Sequence, residues 1–97
     1  MPTPLTPEAL EAELNTLPEW SHSAGALHRD LRFADFRAAV AFIVAMAEHA
    51  ERLQHHPELR NVYNRVSVRL TTHDAGNRVT SLDVALARAI DRLAPGD

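Results

Sequence analysis

The patterning of apolar residues along this chain predicts an α+β two-layer domain, in which helices cover one face of an antiparallel sheet. Three observations carry that expectation. The stretches at each end repeat apolar residues at helical spacing behind helix-start signals. A long central stretch, from Phe36 onward, is apolar on more than one helical face. The segment "NVYNRVSVRLTT", Asn61 to Thr72, alternates apolar and polar residues with the period of a strand. The element order is α-β-β-α-β-(β)-α. The 97 residues, 45% hydrophobic and 24% charged, fit a single domain spanning 1–97.

The first helix starts in "TPEALEAELNTL". Thr6 is its N-cap, Pro7 takes the first helical position and Glu8 meets the positive end. Leu10, Leu14 and Leu17 form the apolar stripe, and Pro18 ends the helix. In "EWSHSAGALHRDLRF" two strand-like pieces flank Gly25, which predicts a hairpin turning near Ser23–Gly25. Leu27, Leu31 and Phe33 share one parity there, and Arg29 breaks it. Asp35 caps the central helix, Phe36 to about Gln54. Its main stripe is expected to be Phe36, Val40, Ile43, Ala47 and Ala50. Phe42, Val44 and Met46 fall outside that stripe and predict a contact between subunits. Pro57 stops the helix and pushes the residue before it out of helical geometry. His56 is therefore expected outside the helix and His55 in its last turn.

In the alternating run, Val62, Val66, Val68 and Leu70 should face the helices. Asn64 sits within that apolar set and predicts a bulge or short turn that splits the run. "HDAGN" is a loop. Thr80, with Asp83 three residues on, makes a capping-box arrangement. It opens a last helix from Ser81 to about Leu93, with Leu82, Ala85, Leu86, Ala89, Ile90 and Leu93 on one side.

Composition removes several classes of function. With no cysteine, disulfides and thiolate metal sites are excluded. The formal net charge is −3 and the basic residues are scattered along the chain, which argues against direct nucleic-acid binding. The N-terminus lacks a charged leader followed by an apolar stretch. The most apolar window, Ala38 to Ala47, is half the length of about 20 residues that a bilayer span needs. The expectation is a cytoplasmic protein without a membrane partner.

The chemistry concentrates in His55, His56 and His73. Imidazole gives and takes protons near neutral pH. Glu51 lies one helical turn before His55, where it is expected to pair with that ring and favour its charged form. Three readings compete: surface histidines, a metal site and a metal-free acid/base site. No HExxH motif and no carboxylate in register supports the metal reading. Spacing alone does not raise the acid/base reading above the surface one.

The ordered array of Glu51, His55-His56-Pro57, Tyr63, His73 and Asp83 resembles the signature of the pterin-4a-carbinolamine dehydratases. The likeness extends back through Phe33, Asp35, Phe36 and Phe42 and forward to the last helix. It implies four antiparallel strands with helices packed on one side, no cofactor, and a homodimer or homotetramer. The implied reaction removes water from 4a-hydroxytetrahydropterin to give quinonoid dihydropterin, in tetrahydropterin recycling. By position, His55 and His73 match the proton-transfer histidines, and His56 matches one that binds and orients the pterin. Glu51, Thr71, Thr72 and Asp83 are the accompanying substrate-binding candidates, and Tyr63 is expected to help wall the ring. Two departures stand out. Gln54 replaces a residue that is often acidic in the family, and Leu59 one that is often aromatic. The same resemblance carries an alternative, because relatives on this fold also act as transcriptional coactivators or other non-enzymatic binding modules.

Overall fold

A computed structural model describes residues 2–95 of the chain. Its first helix, α1 (Pro7–Leu14), starts as expected: Pro7 opens it and the Thr6 hydroxyl accepts the Ala9 N–H at 3.1 Å. It closes at Asn15, before Pro18 is reached. The carbonyls of Glu11 and Glu13 take the Asn15 and Thr16 N–H groups, so local bonds satisfy the helix end. Leu17 lies beyond the helix, in the following turn, and is buried.

Strands β1 (Ser21–Ser23) and β2 (Ala26–Arg32) form the expected hairpin. The two turn residues, Ala24 and Gly25, have φ of 50° and 74°. Left-handed geometry at both positions matches the right-handed twist of the strands it joins. A Cβ on Gly25 would lie 2.3 Å from the Asn77 carbonyl oxygen, so the turn presses on the loop after β4 (Arg65–Leu70). Strand β3 (Glu58–Val62) meets β4 through a second two-residue turn, Tyr63–Asn64, with Val62 opposite Arg65. Asn64 is the predicted break. Its amide donates to the Phe33 carbonyl at 2.9 Å, and its own carbonyl accepts the Phe33 N–H at 2.8 Å.

The four strands make one antiparallel sheet in the order β1-β2-β4-β3. Leu27, Leu31, Val66, Val68 and Leu70 are buried on one face, beneath α2 (Phe36–Leu53) and α3 (Ser81–Leu93). The two-layer α+β expectation therefore holds, and α3 has the expected bounds. Val62 departs from it. Directly opposed residues share a face, so the turn at Tyr63–Asn64 puts Val62 with Arg65 on the outer side, where it is 40% exposed. Arg29, which broke the parity of β2, keeps the inner face all the same. It reaches Asp91 of α3 at 2.5 Å, and the Trp20 indole donates to the same carboxylate at 2.8 Å.

Helix α2 begins on Asp35, whose carboxylate accepts the Ala38 N–H at 2.8 Å. Its buried face is Ala39, Phe42, Met46 and Ala50, with Phe42 against Phe33 at a centroid distance of 5.1 Å. The expected stripe is thus corrected. Phe36, Val40 and Ala47 are exposed, as is Val44, while Phe42 and Met46 fill the core. Both helix faces are apolar, and the hairpins before and after α2 fix which one turns inward.

Candidate active site

The end of α2 sets the geometry. Gln54 takes a left-handed conformation, φ 50° and ψ 43°. Its N–H bonds the Glu51 carbonyl at 3.2 Å and the His55 N–H bonds the Ala50 carbonyl at 3.0 Å. This is a Schellman closure, built on glutamine rather than the usual glycine. It reverses the chain, so both His55 and His56 leave the helix, and the expectation that His55 belongs to its last turn is corrected.

The reversal also decides the partners of the two rings. His55 turns inward and is buried, and its Nε2 meets Asp83 Oδ1 at 2.5 Å. His56 stays outside, where its Nε2 meets Glu51 Oε2 at 2.5 Å. Glu51 therefore pairs with His56 and not with His55. Both groups of that outer pair are well exposed, so it contributes little to stability.

Asp83 is fully buried. It lies in the first turn of α3, where the helix dipole and free N–H groups favour a carboxylate. The predicted capping box is present: the Thr80 N–H donates to Asp83 Oδ2 at 2.8 Å, and the Thr80 hydroxyl accepts the Leu82 N–H at 3.2 Å. Thr72, buried two residues beyond β4, donates its hydroxyl to Asp83 Oδ2 at 2.8 Å. That direction leaves the Thr72 oxygen to accept the Thr80 hydroxyl, 2.7 Å away. Three donors converge on Asp83, from His55 Nε2, Thr72 and Thr80. A carboxylate that only accepts thus holds His55 with its Nε2 protonated, and the unshared nitrogen of the ring is Nδ1.

Residues after β4 supply the third histidine. His73 opens a short 3-10 turn, His73–Ala75, that is tied back by the Thr72–Arg78 bridge. Its Nδ1 lies 3.3 Å from Asn77 Oδ1. The Thr71 hydroxyl donates to the Gly25 carbonyl at 2.8 Å, so the first hairpin braces this loop. His55, His56 and His73 line one open cavity of about 180 Å³, together with Thr71, Thr72 and Gln54. Larger hollows lie elsewhere, one of about 530 Å³ between α1 and α3 and one of about 390 Å³ on the outer sheet face. Neither contains a histidine, and a third of about 240 Å³ on the sheet holds His28 alone, so the meeting of three histidines rather than size marks the site. Among the described residues, no group of three or more His, Cys, Asp or Glu side chains could hold a metal ion.

Of the eight residues the sequence singles out, the structure gathers six at this corner and separates their positions. His55, His56, His73, Thr71 and Thr72 line the cavity, and Asp83 lies beneath it, bonded to His55 and Thr72. Glu51 reaches the corner only through His56. Tyr63 does not come near. It sits in the β3–β4 turn at the far end of β4, on the order of 20 Å away along a six-residue strand. Thr80 was legible only as a helix cap, and its hydroxyl link to Thr72 carries no sequence signal.

A family model described as pterin 4 alpha carbinolamine dehydratase matches residues 3–93. The chain belongs to the pterin-4a-carbinolamine dehydratase family. A dehydratase relative from Opitutus terrae, named only provisionally as such, is 48% identical over 97% of this chain and 97% of its own length. Another, from Synechococcus and named in the same provisional way, is 56% identical over 81% of this chain and 84% of its own. A crystal structure described as a transcriptional coactivator/pterin dehydratase from Brucella melitensis superposes with a TM-score of 0.89 at 39% identity, covering 95% of this chain and 99% of that one. A pterin dehydratase-like protein described as a RuBisCO assembly factor superposes with a TM-score of 0.63 at 22% identity, covering 80% of this chain and 89% of that one. It shares the dehydratase fold. In the described residues no helix is long and apolar enough to cross a membrane.

Proposed function

We propose that this protein removes water from 4a-hydroxytetrahydropterin by histidine acid/base catalysis, as a step in tetrahydropterin recycling. The observation that carries the reading is the buried Thr80–Thr72–Asp83–His55 chain beneath a cavity that His56 and His73 also line. In the reaction the C4a–O bond breaks as a C4a=N5 double bond forms. The N5 proton passes to one imidazole, and the departing hydroxide takes a proton from another and leaves as water. His55 exchanges its proton at Nδ1, because Asp83 holds Nε2. Positive charge on that ring is met by a fixed, buried carboxylate, the arrangement that orients a catalytic histidine in a hydrolytic triad. His73 is the second proton carrier, and either ring can serve as acid or base. His56, exposed at the rim, binds the pterin edge.

This assignment predicts a division of kinetic effects. His55→Ala and His73→Ala lower kcat by about 10²–10⁴, the usual contribution of a positioned acid or base. His56→Ala raises KM with less effect on kcat. A folded His55→Ala/His73→Ala double variant that dehydrates the carbinolamine at the wild-type rate overturns the reading.

A second role is supported by α2. Phe36, Val40 and Val44 form an exposed apolar stripe, 50%, 37% and 61% accessible, on one side of the helix. We propose that this stripe joins copies of the chain into a homodimer or homotetramer. The alternative, a non-enzymatic interaction module, would use the same stripe to hold a different partner.

A further inference from the structure

The outer face of the sheet carries no helix. Its cross-strand register sets Arg32 of β2 directly opposite Arg65 of β4. Arg60 of β3 shares the face, diagonal to Arg65, because it opposes Ser67. Residues directly opposed across strands stand about 5 Å apart at Cβ and diagonal ones about 7–8 Å, and like charges in direct opposition are destabilising. Among the described residues no ion pair within 4 Å offsets that repulsion. Among the described residues the arginine ion pairs are Arg29–Asp91, Arg69–Glu58 and Arg88–Glu13, and none uses Arg32, Arg60 or Arg65. Asp30 lies on the same face and lines the same hollow as the three arginines, but makes no ion pair within 4 Å. The three guanidiniums border a hollow of about 390 Å³ that Val62 and Ser67 also line. That volume falls within the range of small-molecule sites, about 300–1,000 Å³. Every one of the ten basic residues in the chain is arginine, whose planar fork fits phosphate oxygens two at a time.

We propose that this face binds the polyphosphate group of a small molecule between Arg32, Arg60 and Arg65. Three arginines against the single carboxylate of Asp30 line one hollow in a chain whose net charge is −3, so the excess of positive charge is local. Val62 and Ser67 offer the rest of the ligand an apolar wall and a hydroxyl. The site is separate from the histidine cavity, which lies at the other end of β4.

The test uses the full chain with sodium tripolyphosphate and ATP as probes, followed by calorimetry and thermal melts at low ionic strength. Both probes should bind and raise Tm, and added salt should weaken the effect. ATP binding more tightly than tripolyphosphate assigns the ligand to the nucleotide class, and equal affinity assigns it to free polyphosphate. Arg65→Thr should lower affinity about tenfold or more, the scale of one charge-assisted contact. The same variant should raise Tm without ligand, by relieving the Arg32–Arg65 opposition, and leave dehydration unchanged. Absence of binding at millimolar probe overturns the proposal. So does an Arg65→Thr protein that binds normally, or one that melts below wild type because the side chain is structural. Binding of a single-stranded oligonucleotide with none of tripolyphosphate or ATP also overturns it.

Discussion

Asp83→Asn is the most informative single change. The side chain is fully buried and accepts from His55 Nε2 at 2.5 Å, Thr72 at 2.8 Å and the Thr80 N–H at 2.8 Å. Asparagine keeps the shape. Its carbonyl oxygen can occupy the Oδ2 position and still serve both threonine donors. The amide nitrogen then falls at Oδ1, facing His55, and donates where the carboxylate accepted. His55 must present a lone pair at Nε2, which moves its proton to Nδ1, the nitrogen left for substrate. That ring can no longer accept a proton in the cavity. The expected loss in kcat is about 10²–10⁴, by analogy with the same substitution in hydrolytic triads. Three charge-assisted bonds become neutral ones, at a cost of roughly 1–3 kcal/mol in all. Each kcal/mol lowers Tm by about 4–8 °C in a domain of this size, and a typical reserve of about 5–15 kcal/mol keeps it folded. Stopped-flow dehydration gives the rate, circular dichroism the Tm, and nitrogen NMR of the His55 ring the tautomer. A folded variant with wild-type kcat refutes the reasoning. Loss of activity with the proton still on Nε2 refutes the tautomer argument specifically.

Three further outcomes follow from particular positions. Gly25→Ala places a Cβ 2.3 Å from the Asn77 carbonyl at a φ of +74°; left-handed geometry alone costs about 1–2 kcal/mol, so Tm should fall, and kcat with it as the His73 loop shifts. Gln54→Gly relieves the left-handed φ of 50° but loses the exposed side-chain bond to the Glu51 carbonyl at 2.7 Å; a gain of up to about 1 kcal/mol is expected in thermal melts, and a lower Tm would show that the side-chain bond dominates. Val44→Asp alters a residue that is 61% exposed in one protomer, so it should leave the melting of the isolated fold intact while shifting the mass seen by light scattering toward monomer. An unchanged mass would remove α2 as the association surface.

The features legible in the chain before it folds are those that depend on short-range rules. The caps Thr6, Asp35 and Thr80, the capping box with Asp83, the turn at Gly25 and the break at Asn64 are all legible, because each cap bond and each turn spans only a few residues. The ordered histidine array was legible as a family signature and gathers at one corner of the fold. Periodicity could not rank the two faces of α2, since both are apolar, and the buried one was settled by the sheet beneath it. Nor could it follow Val62 across a turn that resets which parity faces inward. The transfer of Glu51 from His55 to His56 came from one left-handed residue, Gln54, that nothing in its side chain announces. Pairing His55 with Asp83, 28 residues on, and Arg29 with Asp91, 62 residues on, required the helices to be docked on the sheet. Arginines scattered along the chain became one charged face only through strand register. Caps and tight turns follow from residues a few positions apart; which distant charges meet is decided by the packing that excludes water between them.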